Sequence, residues 1–404
     1  MIDSTETQLF TSKISILTIP RDNFWIFKSG ILEILYVLID VYENRSNSRY
    51  SDNDISSLSS SSDDKSFDDN YISNSNLNLN LNKNSYDAIS NSNSNNLINN
   101  ELDSFSDSRS INNLYNDNQI EDDGYFFHLA FTTEEITLMC STKLIKKYLN
   151  KAMKLDSNST LISDEFFIIQ VFSDGSNIGK KILELTKPLS LNNISLFFIS
   201  NYFSDLVLIP IKDKSKTLKI LNQIEYEGEN DSYKEARSDD LELKTFELFK
   251  ENNIKPKLVT DVKLVLTGAR SGDCVEILKQ TAESISRLNT EDLKKGNKKN
   301  FPEYFAITRT PTEEIGLLLP YDYNELNKLK FSKNNIMGSL EDYYYPIFID
   351  LKKLPLDLKG IVSGMASKLL RMDIDEMSYL SLGKSGIVLI PDMFREQVED
   401  KLDF

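Results

Sequence analysis

The chain contains a long copy of itself. YFFHLAFTTEEITLM at 125–139 is matched by YFAITRTPTEEIGLL at 304–318, an offset of 179 that places Tyr125 on Tyr304 and Glu134-Glu135-Ile136 on Glu313-Glu314-Ile315. With an offset of 181, Gly179 falls on Gly360 and the VLIP of 207–210 on that of 388–391. A repeat this long restricts the fold to a duplicated architecture. Each half divides again. Strand-type runs SKISILTIP (12–20), EFFIIQVF (165–172), VKLVLTG (262–268) and YPIFIDL (345–351) each precede a helix-type segment, then two more strand-type runs and a second helix. Ile178, Ile182, Leu185 and Leu189, spaced by four, three and four, form one such helical stripe. Strand–helix–strand–strand–helix with a closing strand is the ferredoxin-like order, an antiparallel sheet with helices on one face. The expected fold is therefore α+β: four ferredoxin-like (βαββαβ) modules in two tandem halves. They occupy residues 10–43 plus 124–155, 160–227, 258–335 and 343–404.

Residues 44–123 interrupt the first module. They are rich in Ser, Asn and Asp and hold few large apolar groups, so they cannot offset their chain entropy by burial and read as a disordered insert. A long surface insertion is tolerated because loop-closure entropy grows slowly with length. The insert carries 14 acidic and 5 basic residues, −9 of the chain's net −16. Residues 228–257, charged and poor in aromatics at their start, read as an interdomain linker with a short helix.

An acidic balance argues against nucleic acid as a partner. Two cysteines, Cys140 and Cys274, lie in apolar or helical stretches, which suits a reducing compartment better than a disulfide framework. The start MIDSTETQLF does not read as a signal peptide, and the apolar run ILEILYVLI (31–39) is too short to span a bilayer, so a cytoplasmic protein is expected. A single histidine, His128, leaves little for metal binding or nucleophile–base catalysis. Neither metal nor cofactor is implied, and no catalytic constellation is visible. LGKSG at 382–386 lacks the upstream glycine of a phosphate loop, since Ser378 stands there; it reads as a hairpin turn. The repeated Glu pairs at 134–135 and 313–314 read as part of a module's turn.

The order and spacing of YFFHLAFTTEEITLMC, YFAITRTPTEEIGLLLP, NNISLFFISNYFSDLVLIP and RMDIDEMSYLSLGKSGIVLIP resemble the CASTOR-type tandem ACT proteins. That resemblance implies a non-enzymatic regulator that binds an amino acid or similar small molecule and acts on a nutrient-signalling complex upstream of the TOR kinase. It places the ligand between the second and fourth modules, against Ile194, Ser195 and Leu196 on one side. The facing wall would be Asp357, Leu358 and Gly360, with Leu382, Gly383 and Gly386 in the last turn. Free amides at Gly360 would take the ligand's carboxylate and Asp357 its ammonium group. Two family carboxylates that would meet a guanidinium are replaced by Leu358 and Gly386, which disfavours arginine and favours an apolar amino acid. The turn at 201–205 corresponds to a partner-binding surface in the family and makes Tyr202, Phe203 and Asp205 candidates for contact with a regulatory protein complex. A homodimer is compatible with such modules, and no membrane partner is implied. The alternative is a protein–protein scaffold of ACT modules that has lost its ligand.

Overall fold

The computed structural model describes residues 7–55, 125–172, 178–227, 238–289, 291–292, 301–355 and 358–401. The first repeat supplies β1 (Thr7–Pro20), α1 (Phe24–Ile55), β2 (Phe127–Phe131), β3 (Glu135–Ser141), α2 (Thr142–Tyr148) and α3 (Asn150–Leu155). The second supplies β4 (Thr160–Leu161), β5 (Phe166–Val171), α4 (Ile178–Leu191), β6 (Phe197–Ser200), β7 (Asp205–Pro210) and α5 (Lys214–Glu227). Helix α6 (Ser238–Glu251) occupies the segment read as a linker. The third repeat follows with β8 (Lys257–Leu258), β9 (Leu264–Ala269), α7 (Cys274–Ser286), β10 (Phe305–Arg309), β11 (Ile315–Pro320) and α8 (Tyr323–Lys328). The fourth has β12 (Ile336–Met337), β13 (Tyr344–Asp350), α9 (Ile361–Arg371), β14 (Ser378–Ser381), β15 (Ser385–Pro391) and α10 (Arg395–Lys401). Helix α1 runs past the expected start of the insert at residue 44, and residues 56–123 of that insert lie outside the described residues.

The strands do not form four ferredoxin-like modules. They make one antiparallel sheet in the order β9-β11-β10-β2-β3-β1-β5-β7-β6-β14-β15-β13, and β13 pairs back to β9, so twelve strands close into a barrel. Two physical reasons account for the correction. First, among the described residues no module has a full fourth ladder strand: the only strands between the three-strand groups, β4, β8 and β12, are two residues long and append to β1, β13 and β9. Each repeat thus offers three long strands whose outer edges are unpaired, and closure satisfies those edges in one ring. Second, a module with helices on one face leaves the other face to solvent and would alternate in polarity. Strands such as β5 (FFIIQV) and β7 (DLVLIP) are buried at every position.

Both faces have a core. Outward residues of the first and third repeats, such as Phe127, Leu129 and Ile307, pack under α1, α2, α3 and α7. Those of the second and fourth, such as Phe198 and Val388, pack under α4, α6, α9 and α10. The barrel interior is filled by the alternate residues, among them Ile16, Ala130, Phe166, Leu208, Ala306 and Leu389.

Four seams join the three-strand groups, and they differ in quality. β1–β5 and β2–β10 run in register over several residues, with His128 opposite Thr308 in the latter. β6–β14 and β9–β13 make one residue pair each, Ile199 with Leu380 and Leu264 with Tyr344. At the β6–β14 seam, serine hydroxyls stand in for carbonyls: Phe198 N donates to Ser381 Oγ at 2.9 Å and Tyr379 N to Ser200 Oγ at 3.0 Å.

Candidate functional site

The β6–β14 seam is also where helices α4 and α9 meet. They pack through small polar side chains: Ser363 Oγ donates to Thr186 Oγ1 at 3.0 Å and lies 3.0 Å from Ser190 Oγ. Gly360 opens α9 with φ +88°, a left-handed backbone that glycine adopts without steric cost. Helix α6 is fixed over this start: Thr245 Oγ1 donates to Gly360 O at 3.1 Å, and its side chain fills the space a Cβ on Gly364 would take.

Between the start of α9, the end of α4 and the β14–β15 turn lies a cavity of about 60 Å³, bounded by Ser190, Leu196, Leu358, Gly360, Leu382 and Gly383. The resemblance-based site is thus partly assembled: Leu196, Leu358, Gly360, Leu382 and Gly383 line one space. Ile194 is buried beneath it in the sheet–helix core, and Ser195 is half-buried beside it. Gly386 faces the Tyr379 phenol, 2.7 Å from where a Cβ would stand. Asp357 lies outside the described residues. The cavity walls hold hydroxyls not foreseen from the sequence, those of Ser190, Tyr379, Ser381 and Ser385. The strand alternation of SYLS turns Tyr379 away from the barrel interior, a signal that was legible. Burial pushes the Tyr379 phenol up, so it is a neutral donor. Among the described residues no charged side chain lines this cavity.

The matching place between the first and third repeats is filled by the chain itself. In the fourth repeat Leu382 N bonds Ser385 O to close the turn, and in the third Thr310 N bonds Glu314 O, so Arg309 stands where Ser381 stands. The Arg309 side chain is fully buried. Its guanidinium lies 4.7 Å over the Tyr42 ring, donates to Tyr125 O, and reaches Glu313 Oε1 at 3.5 Å. The Tyr42 hydroxyl in turn donates to Glu313 O.

The two remaining turns bind the halves together. Gly383 N donates to Thr137 Oγ1 at 3.0 Å, while Glu135 Oε1 accepts from Ser385 Oγ at 2.5 Å and Lys384 N at 3.2 Å. The candidate partner residues behave similarly. Tyr202 and Phe203 stack edge-on at 5.1 Å and pack onto Gly338 and Gly268 of the same chain, leaving Tyr202 37% exposed. Asp205 is buried, and desolvation raises its carboxyl to about 7 against a hydrogen bond from Ser200.

Residues 161–223 match the ACT domain family. The matched stretch runs from the end of β4 into α5 and so carries Leu196, Tyr202 and Asp205 of the sites above. No curated protein gives a match. Among solved structures, a protein from Agrobacterium tumefaciens is similar at 15% identity and a TM-score of 0.18, over 25% of this chain and 82% of that one. The aspartate kinase of Synechocystis is similar at 10% identity and a TM-score of 0.25, over 69% of this chain. The match spans about half of that kinase, 48% of its chain. Among the described residues no group of three or more His, Cys, Asp or Glu could hold a metal ion, and no helix is long and apolar enough to cross a membrane.

Proposed function

We propose that this protein is a non-enzymatic, cytoplasmic regulator whose ligand is a small neutral amino acid, held in the cavity between the second and fourth repeats. The observation that carries the reading is that the described residues lining that cavity, at the start of α9, are all uncharged. Hydroxyls and first-turn amides there suit a carboxylate and an ammonium group, while Leu196, Leu358 and Leu382 suit a short apolar side chain. A volume of about 60 Å³ is room for roughly four to six water-sized units, enough for an amino acid of the glycine–alanine–serine class. The ACT match over residues 161–223 supports a regulatory binding role. The likeness to CASTOR-type proteins extends it to a partner complex upstream of the TOR kinase, with the exposed edge of Tyr202 as the contact. Among the described residues that line the cavity no carboxylate is placed to meet a guanidinium, and Leu358 and Gly386 stand where the family has its carboxylates, which favours a ligand other than arginine.

A thermal-shift series with the purified full chain tests it. Glycine, alanine or serine at about 100 times the dissociation constant stabilises the native state by roughly 2.7 kcal/mol. Arginine gives no shift at this cavity, and Leu358→Glu abolishes the shift with the small amino acids. If no small amino acid raises the melting temperature, the ligand-free scaffold is the better reading.

A further inference from the structure

A larger cavity, about 380 Å³, lies on the other side of the β14–β15 turn, between the end of β1 and the β2–β3 turn of the first repeat and Lys352 and Lys384 of the fourth. Its size falls within the range of small-molecule sites. Its lining is nearly all polar, and its charges cancel: Arg21, Lys352 and Lys384 against Asp22, Glu134 and Glu135. A ligand complementary to such a wall carries both signs and no net charge.

The individual groups say where each sign goes. Arg21 is already committed, donating to Thr132 O at 2.5 Å, Glu303 O at 2.9 Å and Pro302 O at 3.0 Å. Lys352 Nζ lies 3.5 Å from Glu134 Oε2 at the rim. Glu135 is different. It is 3% exposed, its Oε1 takes two bonds from the last turn, and its Oε2 has no partner. A buried carboxylate oxygen without a donor is costly, and such atoms call for an explanation at each occurrence. What it lacks is an N–H or O–H. Lys384, half-buried on the same wall, presents an ammonium group with no ion pair among the described residues. Half-exposed and beside Glu135, it is open to an acceptor that a ligand brings.

We infer that this cavity is a second binding site, for a zwitterionic polar α-amino acid, with the ligand's ammonium on Glu135 Oε2 and its carboxylate on Lys384. The site is independent of the cavity at α9: neither Glu135 nor Lys384 lines that one, and Leu358 does not line this one. The two share the β14–β15 turn, whose Gly383 and Ser385 border the first cavity while Lys384 reaches into the second.

Calorimetric titration of the full chain with glutamine and asparagine, both larger than the ligands proposed for the first cavity, tests the site. Glycine betaine, a zwitterion without N–H donors, and ethanolamine, an amine without a carboxylate, are run beside them. Binding is expected from at least one amino acid and from neither control. It persists in Leu358→Glu, which closes only the first cavity, and weakens about tenfold or more in Lys384→Met and in Glu135→Gln. Since Glu135 also anchors the last turn, Lys384→Met decides the matter if Glu135→Gln misfolds. Three results would each overturn the site: no heat from any amino acid in the wild type and in Leu358→Glu, equal binding of betaine, or full affinity in Lys384→Met.

Discussion

Arg309 and Tyr42, far apart in the sequence, form a buried cation–ring pair at 4.7 Å in the place where the other half of the barrel has a cavity. The guanidinium is held as a bound ligand would be, by a ring face, a carbonyl oxygen and a carboxylate. Arg309→Ala should cost about 3–5 kcal/mol, as for other buried charges stripped of a partner. Methylguanidinium at millimolar concentration should then raise the melting temperature of the variant and leave the wild type unmoved. A sodium chloride control removes the general effect of salt.

Two buried groups set opposing pH dependences. His128 is held neutral in the fold by desolvation, its pKa lowered from 6.5 to about 3. Below pH 6.5 the unfolded chain binds a proton that the folded chain refuses, so stability from this group falls as pH falls, by at most about 1.4 kcal/mol per unit. Asp205 works the other way, since burial lifts its carboxyl from the ordinary 3.8 to about 7 in the fold. The folded chain binds the extra proton in that window, and stability from this group rises on acidification from pH 7. The two terms offset each other between about pH 4 and pH 6.5. Urea titrations should therefore show His128→Gln gaining stability on acidification relative to wild type and Asp205→Asn losing it.

Two glycines mark where the turns touch the opposite half. A Cβ on Gly383 would stand 1.6 Å from Thr18 Oγ1, and one on Gly316 1.3 Å from Asn201 Oδ1. Either alanine substitution should destabilise by about 1–3 kcal/mol through overpacking. The rescues should differ. Thr18→Ala removes the hydroxyl and the methyl and leaves only its own Cβ at 2.9 Å, a contact that a small shift relieves, so it restores most of the loss in Gly383→Ala. Asn201 Oδ1 accepts from Tyr202 N at 2.8 Å, so Asn201→Ala trades the clash for a lost bond and restores less. Equal recovery in the two pairs, read from urea midpoints, would count against the close approaches.

The serine bonds of the β6–β14 seam can be tested singly. Ser381→Ala leaves the buried Phe198 N–H without its acceptor and should cost about 1–3 kcal/mol. Hydrogen exchange at the Phe198 amide should accelerate more than at amides in β5 or β7, whose ladder is complete.

Much of this arrangement was legible in the residues. The strands, the helices between them and the turn at Gly360 follow from periodicity and from the repeat. Closure did not, because pairing between repeats is a long-range choice that no local pattern encodes. The strands FFIIQV and DLVLIP, apolar at all but one position each, were its one local trace, since both of their faces needed cover. The role of Arg309 was hidden by the repeat itself. Thr132 closes a turn onto Glu135 and Thr310 a turn onto Glu314, so the third repeat has one more residue in its hairpin. The offset is therefore 178 before the turn and 179 after it. Arg309 stands where Phe131 does, on the helix-covered face, and alignment at a constant offset puts it on Ala130 inside the barrel.

The ring is closed by its youngest part. A ribosome finishes three repeats before β13, β14 and β15 exist, and during that interval β6 and β9 each present an unpaired edge to the cell. Both edges are then capped by the same repeat, β6 by β14 and β9 by β13, each through one residue pair. A message truncated shortly before Tyr344 would release a chain with two adhesive ends, a monomer for head-to-tail polymers. The weakness of those two closing contacts is thus matched by their number: the last repeat holds both ends, so release of one leaves the other to bring it back.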